Sequence, residues 1–205
     1  MRDPTAPPLL VLASASPRRA ELLTRLGLDF EIAPTRIPED VLPDETPEAH
    51  AVRLSEAKAR EAAVAHPNAL VIGSDTVVVQ DRVILGKPKD PEQAVEMLCS
   101  LAGRTHRVIS GLALVFPGGS VESGSLSTSV TFRPFTADLA RRYVDTGEPM
   151  DKAGAYGIQG LGSALVQEIR GDYHTVMGLP LPLLLDLLRK GGWRYTIGEL
   201  EPARD

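Results

Sequence analysis

Two arginines follow a Ser-Pro step in the segment Ser14-Ala15-Ser16-Pro17-Arg18-Arg19. Ser16 and Pro17 suit the N-cap and first turn of a helix, whose leading N–H groups lack internal acceptors and therefore favour an anion. A guanidinium pairs with two phosphate oxygens at once, and Ser14 and Ser16 add hydroxyls, so this turn matches a triphosphate tail. A solvated first turn fits the same residues, although cations there oppose the helix dipole.

Asp75 is the second candidate, in "GSD", where an apolar strand is expected to end. Ligands of open α/β sheets gather beyond the carboxyl ends of strands, where an aspartate can hold Mg²⁺ or Mn²⁺ or take a proton from water. A bend or bulge is the plainer use of such a residue. Downstream, Lys87 precedes a proline in "LGKPKD" and is expected in an extended loop. Lys58 stands on an alanine-rich helix, where a lysine is usually solvated. Glu39, in the loop "RIPED", would complete an oxygen-rich metal site if it met Asp75.

The third candidate is "DKAGAYGIQGLGSA", with Gly154, Gly157, Gly160 and Gly162 around Gln159. The order of glycines is not the dinucleotide fingerprint, and no phosphate-loop motif occurs elsewhere. The glycines suit close backbone approach to a ligand, or a flexible loop. The Gln159 amide can accept from one base nitrogen and donate to a neighbouring carbonyl oxygen, which suits N3–H and O4 of uracil or thymine. Cytosine shows the reversed pattern, so selectivity requires further bonds that fix the amide's direction.

These residues need a frame of alternating strands and helices. Residues 8–14 read as a buried strand, followed by a helix carrying Leu22, Leu23 and Leu26 and closed by Gly27. "LDFEIA" alternates as a half-buried strand, and Thr46-Pro47 opens a helix to about Ala65. "ALVIGSDTVVVQ" reads as a β-branched strand interrupted at Gly73-Ser74-Asp75. Asp90-Pro91-Glu92-Gln93 is a capping box for a helix with Ala94, Val95, Leu98 and Leu101 on its apolar side. "RVISGLALVF" and "SLSTSVTFRPF" flank "PGGS" as a hairpin, Thr136 opens a short helix, and the chain ends as strand, loop, helix, strand. Tyr173 and His174 fall in that loop as a structural turn. The pattern specifies one α/β domain over residues 1–205, a mixed, partly antiparallel twisted sheet flanked by helices.

Composition limits the partners. With 22 basic and 27 acidic residues, a net charge of -5 and a pI near 5.4, the chain has no footprint for long nucleic acid. Nothing approaches a membrane span or a signal peptide, which implies a cytoplasmic protein. The single cysteine, Cys99, forms no internal disulfide and reads as a small buried hydrophobe. The four histidines show neither zinc-ligand spacing nor a nucleophile motif, and none is assigned to catalysis.

Taken in order, "LASASPRRAELL", "RLSEAKA", "GSDTVV", "LGKPKD", "DKAGAYGIQG" and "GDYHTVMGLPL" resemble the Maf family of nucleoside triphosphate pyrophosphatases over about residues 9–190. "AGAYGIQG" resembles the dTTP/UTP branch, whereas the 7-methyl-GTP branch carries a different sequence there. The resemblance implies a Maf/inosine triphosphatase-like fold and hydrolysis of dTTP or UTP between the α and β phosphates, with Mg²⁺ or Mn²⁺. It also implies roles for individual residues. Ser14, Arg18 and Arg19 fall in the substrate loop, Glu39, Lys58 and Lys87 in the phosphate and metal neighbourhood, and Asp75 at the proton acceptor. Arg18, Thr76 and Gln159 match positions of base selectivity. Pro38 stands where the family often has another acidic residue. The partner expected is a small-molecule nucleotide, with no long nucleic acid and no membrane, and a homodimer is an open expectation. Two alternatives remain at this point: a pyrophosphatase for another non-standard nucleotide, or a nucleotide-binding regulator of cell-septum formation without turnover.

Overall fold

Helix starts follow the local chemistry closely. The structure, a computed structural model, describes residues 7–203; the expectation for the first six residues lies outside them. Helix α1 (Pro17–Arg25) begins with proline in its first turn, as does α2 (Pro47–Ala65), where the Thr46 hydroxyl accepts from the Ala49 N–H at 3.1 Å. In α3 (Pro91–Leu101) the Asp90 carboxylate accepts from the Gln93 N–H at 2.7 Å, and the Gln93 side chain accepts back from the Lys89 N–H at 2.8 Å.

The strands are β1 (Leu10–Leu12), β2 (Phe30–Ile32), β3 (Leu70–Gln80), β4 (Val83–Leu85), β5 (Thr105–Val115), β6 (Val121–Phe132) and β7 (Val166–Arg170). They pair in the order β2-β1-β3-β5-β6-β7, with β4 on β3. β1 is parallel to β2 and β3, while β4 and β7 are antiparallel to β3 and β6. The expected mixed sheet with flanking helices is thus present. The remaining elements are α4 (Ala137–Val144), α5 (Tyr173–Met177), α6 (Leu181–Lys190) and the separate pair β8 (Trp193–Tyr195) and β9 (Leu200–Pro202).

The chain divides into two compact units. The first comprises the residues up to Asp75, Ser110–Leu126 and the residues from Gly178 onward. Its core sets Ala59 and Ala62 of α2 against Val11, Ala13, Val71, Ala113 and Val115. The second comprises Thr76–Ile109 and Ser127–Met177. There Ala94, Leu98 and Leu101 of α3 and Ala140, Tyr143 and Val144 of α4 pack on Val78, Val108, Val130 and Phe132. His106 joins this core, its ring meeting Phe132 and Tyr156 edge-on at centroid distances of 4.9 and 5.3 Å.

Several expectations change. β3 runs unbroken through Gly73-Ser74-Asp75. Gly73 is there for close packing: a Cβ would lie 2.2 Å from the Ser55 carbonyl oxygen and 2.8 Å from the Ala59 nitrogen of α2. Cys99 is exposed, because it faces away from the Ala94, Leu98 and Leu101 stripe. Ile32 is exposed, since β2 lies at the sheet's edge. The Tyr173-His174 segment is the one-turn helix α5, started by Asp172, whose carboxylate accepts from the Thr175 N–H at 2.6 Å. No described helix is long and apolar enough to cross a membrane.

Candidate active site

In the first unit, the turn into α1 is built around Ser14. Its buried hydroxyl oxygen accepts from the Ser16 N–H at 3.2 Å and from Arg19 Nη1 at 2.9 Å. Ser16 precedes the helix in extended conformation, and its own side chain makes no cap bond. Arg19 Nε donates to the Gly178 carbonyl at 2.8 Å, and the buried Ser74 hydroxyl donates to the same oxygen at 2.8 Å. Arg19 is therefore aimed by bonds rather than left on a solvated turn. Burial lowers its pKa from the ordinary guanidinium value, Asp75 opposes that shift, Arg18 adds to it and Glu39 opposes it. Arg18 is half-buried beside it on the same first turn.

Lys58 is the centre of the unit's charged cluster. Only 8% exposed, it donates through Nζ to Glu39 Oε1 and to Asp75 Oδ1, both at 2.6 Å. The solvated-face reading of Lys58 is thereby set aside. Asp75 sits mid-strand rather than at the end of β3, but β1 stops at the Leu12–Ile72 pair, so Asp75 lies beyond the carboxyl end of its neighbour. Its side chain is 9% exposed, against 50% for Glu39. Asp75 and Glu39 are thus drawn together by one ammonium.

The Glu39 loop is fastened by residues that sequence reasoning missed. Glu45 accepts from Arg53 Nε at 2.5 Å and Nη2 at 2.8 Å, and from the Leu42 N–H at 3.1 Å, with His50 Nδ1 at 2.9 Å. Arg53 Nη2 also donates to the Asp40 carbonyl, next to Glu39, at 2.9 Å. The Arg53 bonds hold the Glu45 carboxyl far below the usual carboxylate range against the opposing effect of burial. Arg53 and Lys58 share the segment "RLSEAKA", and that proximity is the signal in the sequence that points to Arg53.

Thr76, Lys87 and Gln159 belong to the second unit. Thr76 is half-buried on β3, and Lys87 is exposed in the irregular segment between β4 and α3. Gln159 is half-buried and immediately precedes a 3-10 helix, Gly160–Leu165. The glycine segment is not an open loop but a series of such turns, with others at Glu148–Asp151 and Ala153–Ala155. Glu148 Oε1 accepts from the Tyr143 hydroxyl at 2.9 Å and the Gly162 N–H at 3.1 Å, and Oε2 accepts from the Leu161 N–H at 2.9 Å. The Tyr143 oxygen accepts in turn from the Gly157 N–H at 3.1 Å. At Gly162 a Cβ would come within 2.5 Å of that hydroxyl, so the glycine serves closeness to the protein itself. Burial opposes ionisation of Glu148, yet the Gly162 and Leu161 N–H groups, Tyr143 and Lys152 outweigh it and leave the carboxyl below its ordinary value.

The candidate carboxylates offer hard oxygen donors of the kind Mg²⁺ and Mn²⁺ take. Among the described residues no group of three or more His, Cys, Asp or Glu side chains could hold a metal ion. Glu39 and Asp75, both turned to the Lys58 ammonium, are the carboxylates that would contribute oxygens to a cation there.

A mixed sheet with flanking helices is also the fold of the Staphylococcus aureus Ham1 protein, whose structure matches with a TM-score of 0.50 at 15% identity, covering 89% of this chain and 98% of that one. The chain belongs to the family of Maf-like proteins, which matches residues 9–191. Similar proteins include the dTTP/UTP pyrophosphatase of Moorella thermoacetica, 53% identical over 87% of this chain and 93% of that protein. Those of Syntrophotalea carbinolica, at 46% identity over 94% and 91%, and Pyrococcus furiosus, at 42% over 89% and 95%, carry the same name. The resemblance of the six short segments thus extends along nearly the whole chain.

Proposed function

We propose that this protein is a cytoplasmic single-domain nucleoside triphosphate pyrophosphatase that hydrolyses dTTP and UTP to dTMP or UMP and pyrophosphate. The observation that carries the reading is Lys58, a buried ammonium held at 2.6 Å by both Glu39 and Asp75 in a unit that also aims Arg19. Such a cluster has the charges needed for phosphoryl transfer: cations for phosphate oxygens and a carboxylate for the water's proton. The named activity of the relatives supports the substrate.

In this reading water attacks the α-phosphorus, the bond to the bridging oxygen of the β-phosphate breaks, and pyrophosphate leaves. Asp75 accepts the proton of the attacking water through a carboxylate oxygen. Ser14, Arg18, Arg19, Lys58 and Lys87 bind phosphate oxygens, and the cations among them neutralise charge as it develops. Glu39 and Asp75 would hold Mg²⁺ or Mn²⁺, which supplies Lewis-acid polarisation of phosphate oxygens when bound. Gln159 reads N3–H and O4 of the base, with Arg18 and Thr76 contributing to its choice.

The test is pyrophosphate release from a panel of ribo- and deoxynucleoside triphosphates with either metal, with Asp75→Asn in parallel. Selective release from dTTP and UTP, lost in the variant, is expected. Binding of nucleotide without release would overturn the proposal, and near-full activity of Asp75→Asn would remove Asp75 from the chemistry.

A further inference from the structure

An amide that reads a base must stand at hydrogen-bonding distance from it, and where it can reach is set by the backbone that carries it. The backbone on both sides of Gln159 is tied to one pair of side chains. Upstream, the Gly157 N–H donates to the Tyr143 hydroxyl oxygen at 3.1 Å. Downstream, the Leu161 and Gly162 N–H groups donate to the two oxygens of Glu148 at 2.9 and 3.1 Å. Tyr143 donates its own proton to Glu148 at 2.9 Å, which joins the two attachments. Tyr143 is 6% exposed and packs in the second unit's core, and Lys152 Nζ donates to the Glu148 carbonyl, so the anchor is itself held.

We propose that Glu148 is a positioning residue for base selection, which fixes the backbone at Gly157, Leu161 and Gly162 and so sets where the Gln159 side chain stands against the base. The proposal rests on the reading of Gln159 as the base-contacting residue. Only a carboxylate serves all three donors with two acceptor oxygens. A glutamine at 148 turns an NH₂ group towards at least one N–H or O–H that now donates to it.

The experiment compares kcat/KM for UTP and CTP in the full chain and in Glu148→Gln, Tyr143→Phe, Gln159→Ala and the double variant Glu148→Gln with Gln159→Ala. Thermal melting of each reports folding. Glu148→Gln is expected to lower the UTP-over-CTP ratio about tenfold, the worth of one hydrogen bond to a charged group, through KM with little change in kcat. Tyr143→Phe, which keeps the packed ring, is expected to shift the ratio the same way by a smaller factor. The double variant should match Gln159→Ala alone, because Glu148 acts through Gln159. Equal losses on UTP and CTP in Glu148→Gln and Tyr143→Phe would overturn the proposal and leave Glu148 a structural residue. If Gln159→Ala collapses the ratio and Glu148→Gln does not, the positioning role falls and the reading of Gln159 survives. If Gln159→Ala leaves the ratio unchanged, that reading falls and takes the proposal with it.

Discussion

Each compact unit has one glutamate that fastens a segment carrying a candidate site residue, and the two do it with different partners. Glu45, in the first unit, binds mainly side chains, Arg53 and His50, and through Arg53 secures the Asp40 carbonyl beside Glu39. Glu148, in the second, binds the N–H groups of Leu161 and Gly162 and the Tyr143 hydroxyl around Gln159. The first clamp joins opposite charges and reaches the loop's backbone at the Leu42 N–H and the Asp40 carbonyl. The second has no cationic side chain in its grip on the loop and holds two adjacent N–H groups, and Gly162, where a Cβ would meet the Tyr143 hydroxyl, permits the approach. In the proposed function the first arrangement would steady the Glu39 carboxylate and the second would place the Gln159 side chain.

The sharpest way to break the comparison is to separate chemistry from selection. Asp75→Asn should reduce kcat/KM for both dTTP and UTP about a thousandfold, in the range expected for loss of a general base, with their ratio unchanged. A changed ratio would show that the first unit also chooses the base through this residue.

Acid separates the units next. His106 is buried, its Nε2 lies 2.8 Å from the Tyr156 hydroxyl, and burial pushes its pKa down to about 4. The unfolded chain takes up a proton near pH 6.5 that the folded chain refuses until near pH 4, so stability falls as pH drops through that interval, by about 3 kcal/mol in all. His106→Gln, which keeps a hydrogen-bonding atom but does not titrate, should flatten that slope in urea unfolding measured between pH 7 and 4. Glu45 has the same sense in a lower window. Its lowered pKa gives stability that is complete above the ordinary carboxylate range and lost as pH falls below it.

Glu45→Gln should cost about 2 kcal/mol at neutral pH, since it leaves Arg53 and His50 with an uncharged partner. The denaturant midpoint measures it, and an unchanged midpoint would show that the clamp contributes position without stability. The smallest effect belongs to Cys99→Ser. The exposed cysteine should change stability by less than about 0.5 kcal/mol, and a larger loss would restore the buried role expected of it from sequence.

Much of the frame was legible because its signals are local. Thr46 and Asp90 cap their helices as their types demand, and the alternation of strands and helices specifies the mixed sheet. Gly73 misled for a physical reason: the same missing side chain that weakens a strand also lets a helix backbone approach it, and only the approach to Ser55 and Ala59 separates the two uses. At the site, the residues themselves and then the resemblance pointed to Lys58, Asp75 and Glu39, and to Glu39 meeting Asp75, but not to Lys58 as the group that joins them through contacts 17 and 19 residues apart. Glu45 and Glu148 were invisible because an acidic residue in a polar loop looks solvated until the path of the loop is known. Their partners, Arg53 and Gly162, lie in "RLSEAKA" and "DKAGAYGIQGLGSA", beside the candidate residues Lys58 and Gln159.

The Gly178 carbonyl, which receives both Arg19 and Ser74, has a consequence for how the protein comes into being. Arg19 and Gly178 are 159 residues apart, so this contact closes a loop that contains most of the chain. During synthesis from the N-terminus, the helix that carries Arg19 is made 159 residues before the oxygen that aims its guanidinium. A nascent or C-terminally cut chain that ends before Gly178 has the arginine but not its alignment. The alignment of Arg19 is therefore acquired only after Lys58, Asp75 and the glycine segment have already been made.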